Sequence, residues 1–313
     1  MNWHEKSSLF GVSFSANIFY LCRNKSKRIM KRIPIYILAI AALAASSCRT
    51  ERKYDNTMFV SIAPIKQIVT EIVGDDFDVE VLVPAGASPE TFEPTPKQFI
   101  ALNKARLIFS TGLLDFENNL LGKLQDKSKI IDLSKGIEPI AGCCSHHHHG
   151  KHCSHGIDPH IWCSPKELMI MADNAFEAIS VALPDSVGKY APRYDALCQK
   201  LLELDEEVAE MCRCSSNSYF IIYHPALTYF ARNYGIEQVS VENEGKEASA
   251  KRLGEIIAAA RRDGIRHVFY QSQFPRSSVE IICDDIGADA VEIDPLAEDV
   301  IHEIRRITSL ITE

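Results

Sequence analysis

The apolar patterning of this 313-residue chain predicts an α/β protein of two lobes, each a mostly parallel sheet flanked by helices, joined by one long rigid helix. Three observations carry that expectation. Short β-rich runs alternate with helix-periodic runs from residue 57 onward, the same alternation begins again after residue 216, and an apolar stripe at helical spacing fills residues 186–213 between them. Alternation of this kind is the signature of βαβ units and hence of parallel sheets. Its restart divides the body into residues 57–185 and 214–313, a size that suits two ordinary domains.

In the first lobe the strand candidates are residues 58–62, 79–83, 107–110 and 130–132. Between the first two, Ile65, Ile68, Val69, Ile72 and Val73 recur at i, i+3, i+4, i+7 and i+8, which makes one buried helix face, and Gly74 closes it. Thr95 followed by Pro96 reads as the cap and first residue of the next helix. In the linking segment Leu197, Leu201, Leu204, Val208 and Met211 share a stripe, while Glu203, Asp205, Glu206, Glu207 and Glu210 fall mostly elsewhere. At 1.5 Å per residue such a helix reaches about 40 Å, enough to brace both lobes. In the second lobe strands at 219–223, 238–241, 267–270 and 290–293 alternate with helices at 226–234, 249–262 and 277–285.

Ahead of the body, Met30, Lys31 and Arg32 precede an apolar run from residue 33 to 45, and Ala45, Ser46 and Ser47 lead into Cys48. Thirteen residues are too few for a permanent membrane helix and suit the apolar region of a removable secretion signal. Residues 1–47 are therefore expected to be a leader, with Met30 as an alternative start. Cys48 is the expected lipid attachment point and residues 48–56 a tether that holds the protein to a membrane in the periplasm or cell envelope. Residues 1–47 hold seven of the 34 Lys and Arg and one of the 42 Asp and Glu, which leaves 27 basic against 41 acidic residues in the body. So acidic a body disfavours nucleic acid and anionic membrane surfaces as partners and favours cations. The eight cysteines beyond Cys48 match no compact disulfide scaffold, and their pairing is not readable from spacing.

The most biased stretch is 143–155, where Cys143, Cys144 and Cys153 interleave with His146, His147, His148, His149, His152 and His155. With His160 close behind, seven of the 11 histidines fall within 15 residues. Imidazole and thiolate suit borderline metals such as zinc, so this segment is expected to be an auxiliary metal-binding loop with weak, exchangeable sites. Three further positions sit where an α/β sheet binds ligands, beyond the carboxyl ends of strands. His160 lies in Asp158-Pro-His160-Ile-Trp162 ahead of a helix opened by Pro165, His224 ends the strand at 219–223, and Asp294 follows the strand at 290–293. Glu242, Glu244 and Glu247, with Lys246 among them, read as a solvated acidic turn. No H-E-x-x-H occurs anywhere, which argues against a zinc hydrolase and for a protein that is not an enzyme.

The segments GASPETFEP at 86–94, DPHIW at 158–162, YHPA at 223–226, VENEGKE at 241–247 and IDPL at 293–296, in that order, resemble the zinc/manganese solute-binding proteins of ABC transporters, of the high-affinity zinc-uptake type. The resemblance covers about residues 57–313. It implies a metal site in the cleft between the lobes with His160, His224 and Asp294 as ligands, and it places the first ligand position on Glu90, where members usually have histidine. It also implies a monomeric, lipid-anchored receptor that delivers Zn2+ to the permease and ATPase of a metal importer. Zinc-type members share the histidine at 224 where manganese-type members have glutamate, and imidazole suits zinc better than Mn2+. A manganese-type receptor of the same family and a His-rich metal-storage or adhesion lipoprotein are the alternatives.

Overall fold

The computed structural model describes residues 56–141, 156–242 and 248–313. The leader, Cys48, the whole His/Cys stretch at 143–155, and Glu244 and Glu247 lie outside the described residues. Strands and helices alternate as expected, in the order β1 (Thr57–Val60), α1 (Ala63–Val73), β2 (Asp78–Val81), α2 (Pro96–Lys104), β3 (Ile108–Ser110), α3 (Asp115–Leu121) and β4 (Ile130–Asp132). Two long helices follow, α4 (Pro165–Ala182) and α5 (Val187–Cys214). The second alternation runs β5 (Tyr219–Ile222), α6 (Thr228–Tyr234), β6 (Glu237–Ser240), α7 (Ala250–Asp263), β7 (His267–Gln271), α8 (Ser277–Ile286), β8 (Asp289–Ile293) and α9 (Val300–Thr312). The described strands form two four-stranded sheets, ordered β2-β1-β3-β4 and β6-β5-β7-β8, and every pairing is parallel. The fold is thus two α/β lobes of one topology.

Local chemistry explains the elements nearest the site. On α1, Pro64 opens the helix, and Ile65, Ile68, Val69, Ile72 and Val73 are the buried face. Gly74 ends it at φ +61°, a left-handed conformation that favours glycine, and a Cβ there would also have to displace the Arg193 guanidinium, 2.5 Å away. Thr95 and Gln98 form a reciprocal capping box on α2, and the Gln98 amide also donates to the Leu82 carbonyl at 2.9 Å, tying that helix to the start of the loop that carries Glu90.

The brace is α5, with 28 residues and a buried stripe of Tyr190, Leu197, Leu201, Leu204, Val208 and Cys212. Cys212 takes the last core position, and Met211, expected there, is half-buried beside it. The helix packs on α1 and α4 of the first lobe and on α6 and α9 of the second. Direct ties also cross between lobes. Trp162 donates its indole N–H to the Pro295 carbonyl at 2.8 Å, the Tyr229 hydroxyl donates to the Asp158 carbonyl at 2.9 Å, and buried Glu167 accepts from Arg232 at 2.7 Å and Asn233 at 2.6 Å. Gln67 on α1 accepts from the backbone N–H of Val300 at 3.0 Å, capping α9 from the opposite lobe. Among the described residues no helix is long and apolar enough to cross a membrane.

Candidate metal centre

His224 follows β5, the strand at which the order of the second sheet reverses, so the fold places it at the topological switch point where such sheets bind ligands. Its position is fixed by Gln271 at the end of β7, whose amide donates to the His224 carbonyl at 2.7 Å. Phe274 stacks on the imidazole face at 5.5 Å, with an interplanar angle of 25°. His160 reaches the same place from the other lobe, at the entry to the 3-10 turn Ile161–Cys163, with its ring centroid 5.2 Å from that of His224. Glu90 comes from the loop after β2, and its Oε1 lies 3.1 Å from His224 Nε2.

One donor atom from each of Glu90, His160 and His224 lies within 4.8 Å of the others, the only such group of His, Cys, Asp or Glu among the described residues. A cavity of about 30 Å3 opens at this point and is walled by Pro89, Trp162, Phe274, Pro295 and Leu296, among others. A larger cavity, about 210 Å3, lies at the amino ends of β5 and β7 beside Tyr219 and His267 and has no such donor group.

Each histidine presents one nitrogen to the cavity because a carboxylate engages the other. Asp158 Oδ1 is 2.9 Å from His160 Nδ1, and Glu242 Oε2 is 3.1 Å from His224 Nδ1. Such partners fix the tautomer and the ring orientation of a metal-binding imidazole and leave Nε2 for the ion. Burial works against a charge on His224, but the carboxylates of Glu242 and Glu90 more than compensate, and its pKa is raised to about 9. Asp158, although buried, is held below the ordinary carboxylate range by His160. Burial pushes the neighbouring Cys163 thiol well up, so the centre is built from nitrogen and oxygen rather than thiolate.

Three of the four expected cleft residues thus converge. Asp294 stands outside the group of three: its Oδ1 accepts from the Leu296 N–H at 3.0 Å, and its own N–H donates to Glu303 at 2.8 Å. Burial raises its carboxyl above the usual range, and the charges of Glu303 and Glu292 act in the same direction. Its neighbours Pro295 and Leu296 line the cavity. Glu242 requires a correction. The expectation of a solvated acidic turn does not hold for this residue, which is only 6% exposed and points back at His224. The reason lies in the sheet: β6 pairs with β5, and the Glu242 N–H donates to the Tyr223 carbonyl at 2.9 Å, so Glu242 and His224 leave the sheet side by side. A carboxylate directly after a strand is the signal that could have found it, once the strand order is known.

Comparisons with known proteins agree with this architecture. The model of the family described as zinc-uptake complex component A, periplasmic, matches residues 58–305. The zinc-binding lipoprotein AdcA of Streptococcus pneumoniae is 25% identical over 285 residues, which cover 85% of this chain and 56% of AdcA. The high-affinity zinc uptake system protein ZnuA of Bacillus subtilis is 26% identical over 265 residues, covering 80% of this chain and 82% of that protein. The chain spans about half the length of the AdcA relatives it matches. A ZnuA variant with an internal deletion, solved with zinc bound, superposes at a TM-score of 0.73 with 33% identity, covering 82% of this chain and 96% of that one. The periplasmic zinc-binding protein TroA of Treponema pallidum superposes at 0.70 with 22% identity over 82% and 98% of the two chains, a likeness of fold. With about four-fifths of its length inside the family model and a paired-histidine centre between two matching lobes, the chain belongs to the zinc-uptake complex component A family.

Proposed function

We propose that this chain is an extracytoplasmic zinc receptor, anchored through Cys48, that captures Zn2+ between its lobes and delivers it to the permease and ATPase of an ABC importer. The observation that carries the reading is the convergence of Glu90, His160 and His224 from both lobes on one small cavity, with a carboxylate behind each imidazole. Asp294 is the proposed fourth donor, reached by a shift of the 294–296 segment that already flanks the cavity. Two imidazoles and two carboxylates would neutralise Zn2+ and close a tetrahedral sphere, so the ion is cargo and no open position is left to activate water. The family is one of metal-binding transport receptors and not of enzymes, which supports the same conclusion.

Capture displaces a proton from His224, because the nitrogen that faces Glu90 is the one that takes the metal. The His-rich stretch at 143–155 serves as a second, weaker pool that raises local zinc concentration near the cleft. A ZnuA variant with an internal deletion was solved with zinc bound, so in that protein zinc binding survives the loss of a segment. A manganese-type receptor is the second reading, favoured by one observation: Glu90 is a harder donor than the histidine expected at its position.

The test is a chelator-competition titration of the mature chain with zinc. One tight equivalent is expected, lost in His160→Ala and in His224→Ala with the circular dichroism unchanged, since neither side chain belongs to a lobe core. Unchanged tight binding in either variant would remove that residue from the site.

A further inference from the structure

We infer that Glu242 is a positioning residue for the metal centre, one that sets both the aim of His224 and the preference of the site for zinc over manganese; the inference rests on the zinc-receptor reading above. Glu242 is 18 residues from His224 in sequence, and the fold brings them together through the parallel pairing of β5 and β6. Its backbone is part of that ladder through the Tyr223 carbonyl, and its carboxylate is buried, with Oε2 3.1 Å from His224 Nδ1. A carboxylate taken out of water at this depth is costly unless something holds it, and the imidazole is what faces it.

Once Glu90, now 3.1 Å from Nε2, turns to the metal, the remaining surroundings of His224 leave the aim of the ring to this contact. Gln271 holds the backbone of the residue and Phe274 lies along one face of the ring, and neither distinguishes the nitrogen positions of the ring from its carbon positions. Rotation of the ring by half a turn about Cβ–Cγ would exchange Nδ1 with Cδ2 and Nε2 with Cε1, turning carbon toward the metal, while keeping both of those contacts. The Glu242 carboxylate accepts from Nδ1–H and so excludes the exchange. The arrangement differs from that of His160, whose partner Asp158 sits two residues away on the same turn and also accepts the His160 backbone N–H at 2.9 Å. His160 is aimed locally, whereas the Nδ1 side of His224 is aimed through the sheet.

The second effect is electronic. A carboxylate on the far nitrogen strengthens the imidazole as a donor, and loss of such a partner lowers metal affinity by about 10- to 100-fold. Zinc gains more than manganese from a stronger nitrogen donor, because imidazole suits zinc and oxygen donors suit manganese. Glu242 therefore offsets part of the hardness that Glu90 brings to the same ion.

The experiment uses the mature chain, with Glu242→Gln and Glu242→Ala variants. It reads zinc and manganese affinities by competition, together with the visible absorption spectrum of the cobalt-substituted protein, which reports ligand geometry. Glu242→Gln keeps an acceptor oxygen and removes the charge, so it should retain the wild-type cobalt spectrum and show a narrowed zinc-to-manganese ratio. Glu242→Ala should lose about 10- to 100-fold in zinc affinity and change the cobalt spectrum. A residue that only supports the fold would lower thermal stability and leave the metal ratio and the spectrum of the folded fraction unchanged; that result overturns the inference. Wild-type zinc affinity in both variants also overturns it. A wild-type protein without tight zinc binding would instead defeat the receptor reading, so the two failures are distinguishable.

Discussion

Zinc affinity should fall steeply as the solution is acidified, and the slope is set by one proton. In the metal-free centre His224 lies between Glu90 Oε1 on Nε2 and Glu242 Oε2 on Nδ1, both at 3.1 Å, and its pKa is raised from 6.5 to about 9. At neutral pH the ring is therefore an imidazolium, and zinc must displace the Nε2 proton before it can bind. For a single group with a pKa of about 9, apparent affinity changes about tenfold per pH unit below that value, hence about a hundredfold between pH 8 and pH 6. Isothermal titration calorimetry near pH 7.5, in two buffers of different ionisation enthalpy, counts the protons released. About one proton from His224 is expected, and zinc binding that releases none, or an affinity flat from pH 6 to 8, would refute the reasoning.

The same link acts on the metal-free fold. Because the folded pKa of His224 is raised, its stabilisation is fully present below pH 6.5 and is lost as pH rises through about 9, on the order of 3 kcal/mol in all; urea denaturation of the apo protein at pH 7 and pH 10 should register a loss that His224→Ala does not show. Glu167→Ala leaves Arg232 and Asn233 without their buried partner between the lobes and should cost about 3 kcal/mol in urea denaturation, against no measurable change if the bridge is incidental. Deletion of residues 143–155 should remove weak zinc equivalents and spare one tight site in a calorimetric titration, and loss of the tight site would favour a storage role. Glu90→His should widen the preference for zinc over manganese in a competition titration, and an unchanged ratio in that variant and in Glu90→Ala would exclude Glu90 as a ligand.

Much of the fold was legible because parallel strands covered on both faces read as short apolar runs, and all eight strands lie within two residues of their expected bounds at each end. The largest offsets are at the ends of β1 and β2, each two residues short; β1 ends at Val60 since Ile62 serves as the cap residue of α1. The helix α3 was not anticipated. It has seven residues, too few for a periodic stripe, and it is held in place by Glu117, whose buried carboxylate accepts from Thr111 at 2.9 and 2.7 Å. At the centre, His160 and His224 were legible because each stands at a chain position where an α/β fold gathers ligands. Glu90 rested on resemblance, and the geometry brings it to His224. Glu242 was misread because acidic residues near a turn are usually solvated; what buries this one is strand order, a property of the sheet that no local window contains.

Capture of one zinc ion between the lobes by the convergent set underlies every prediction of metal binding made for this chain. Anomalous diffraction at the zinc absorption edge, from crystals of the mature protein loaded with one equivalent, tests it most directly. A single strong peak is expected at about 2.0–2.2 Å from Nε2 of His160, Nε2 of His224 and a carboxylate oxygen of Glu90, with Asp294 drawn in as the fourth donor. A principal peak elsewhere, or one bonded to neither histidine, would contradict it.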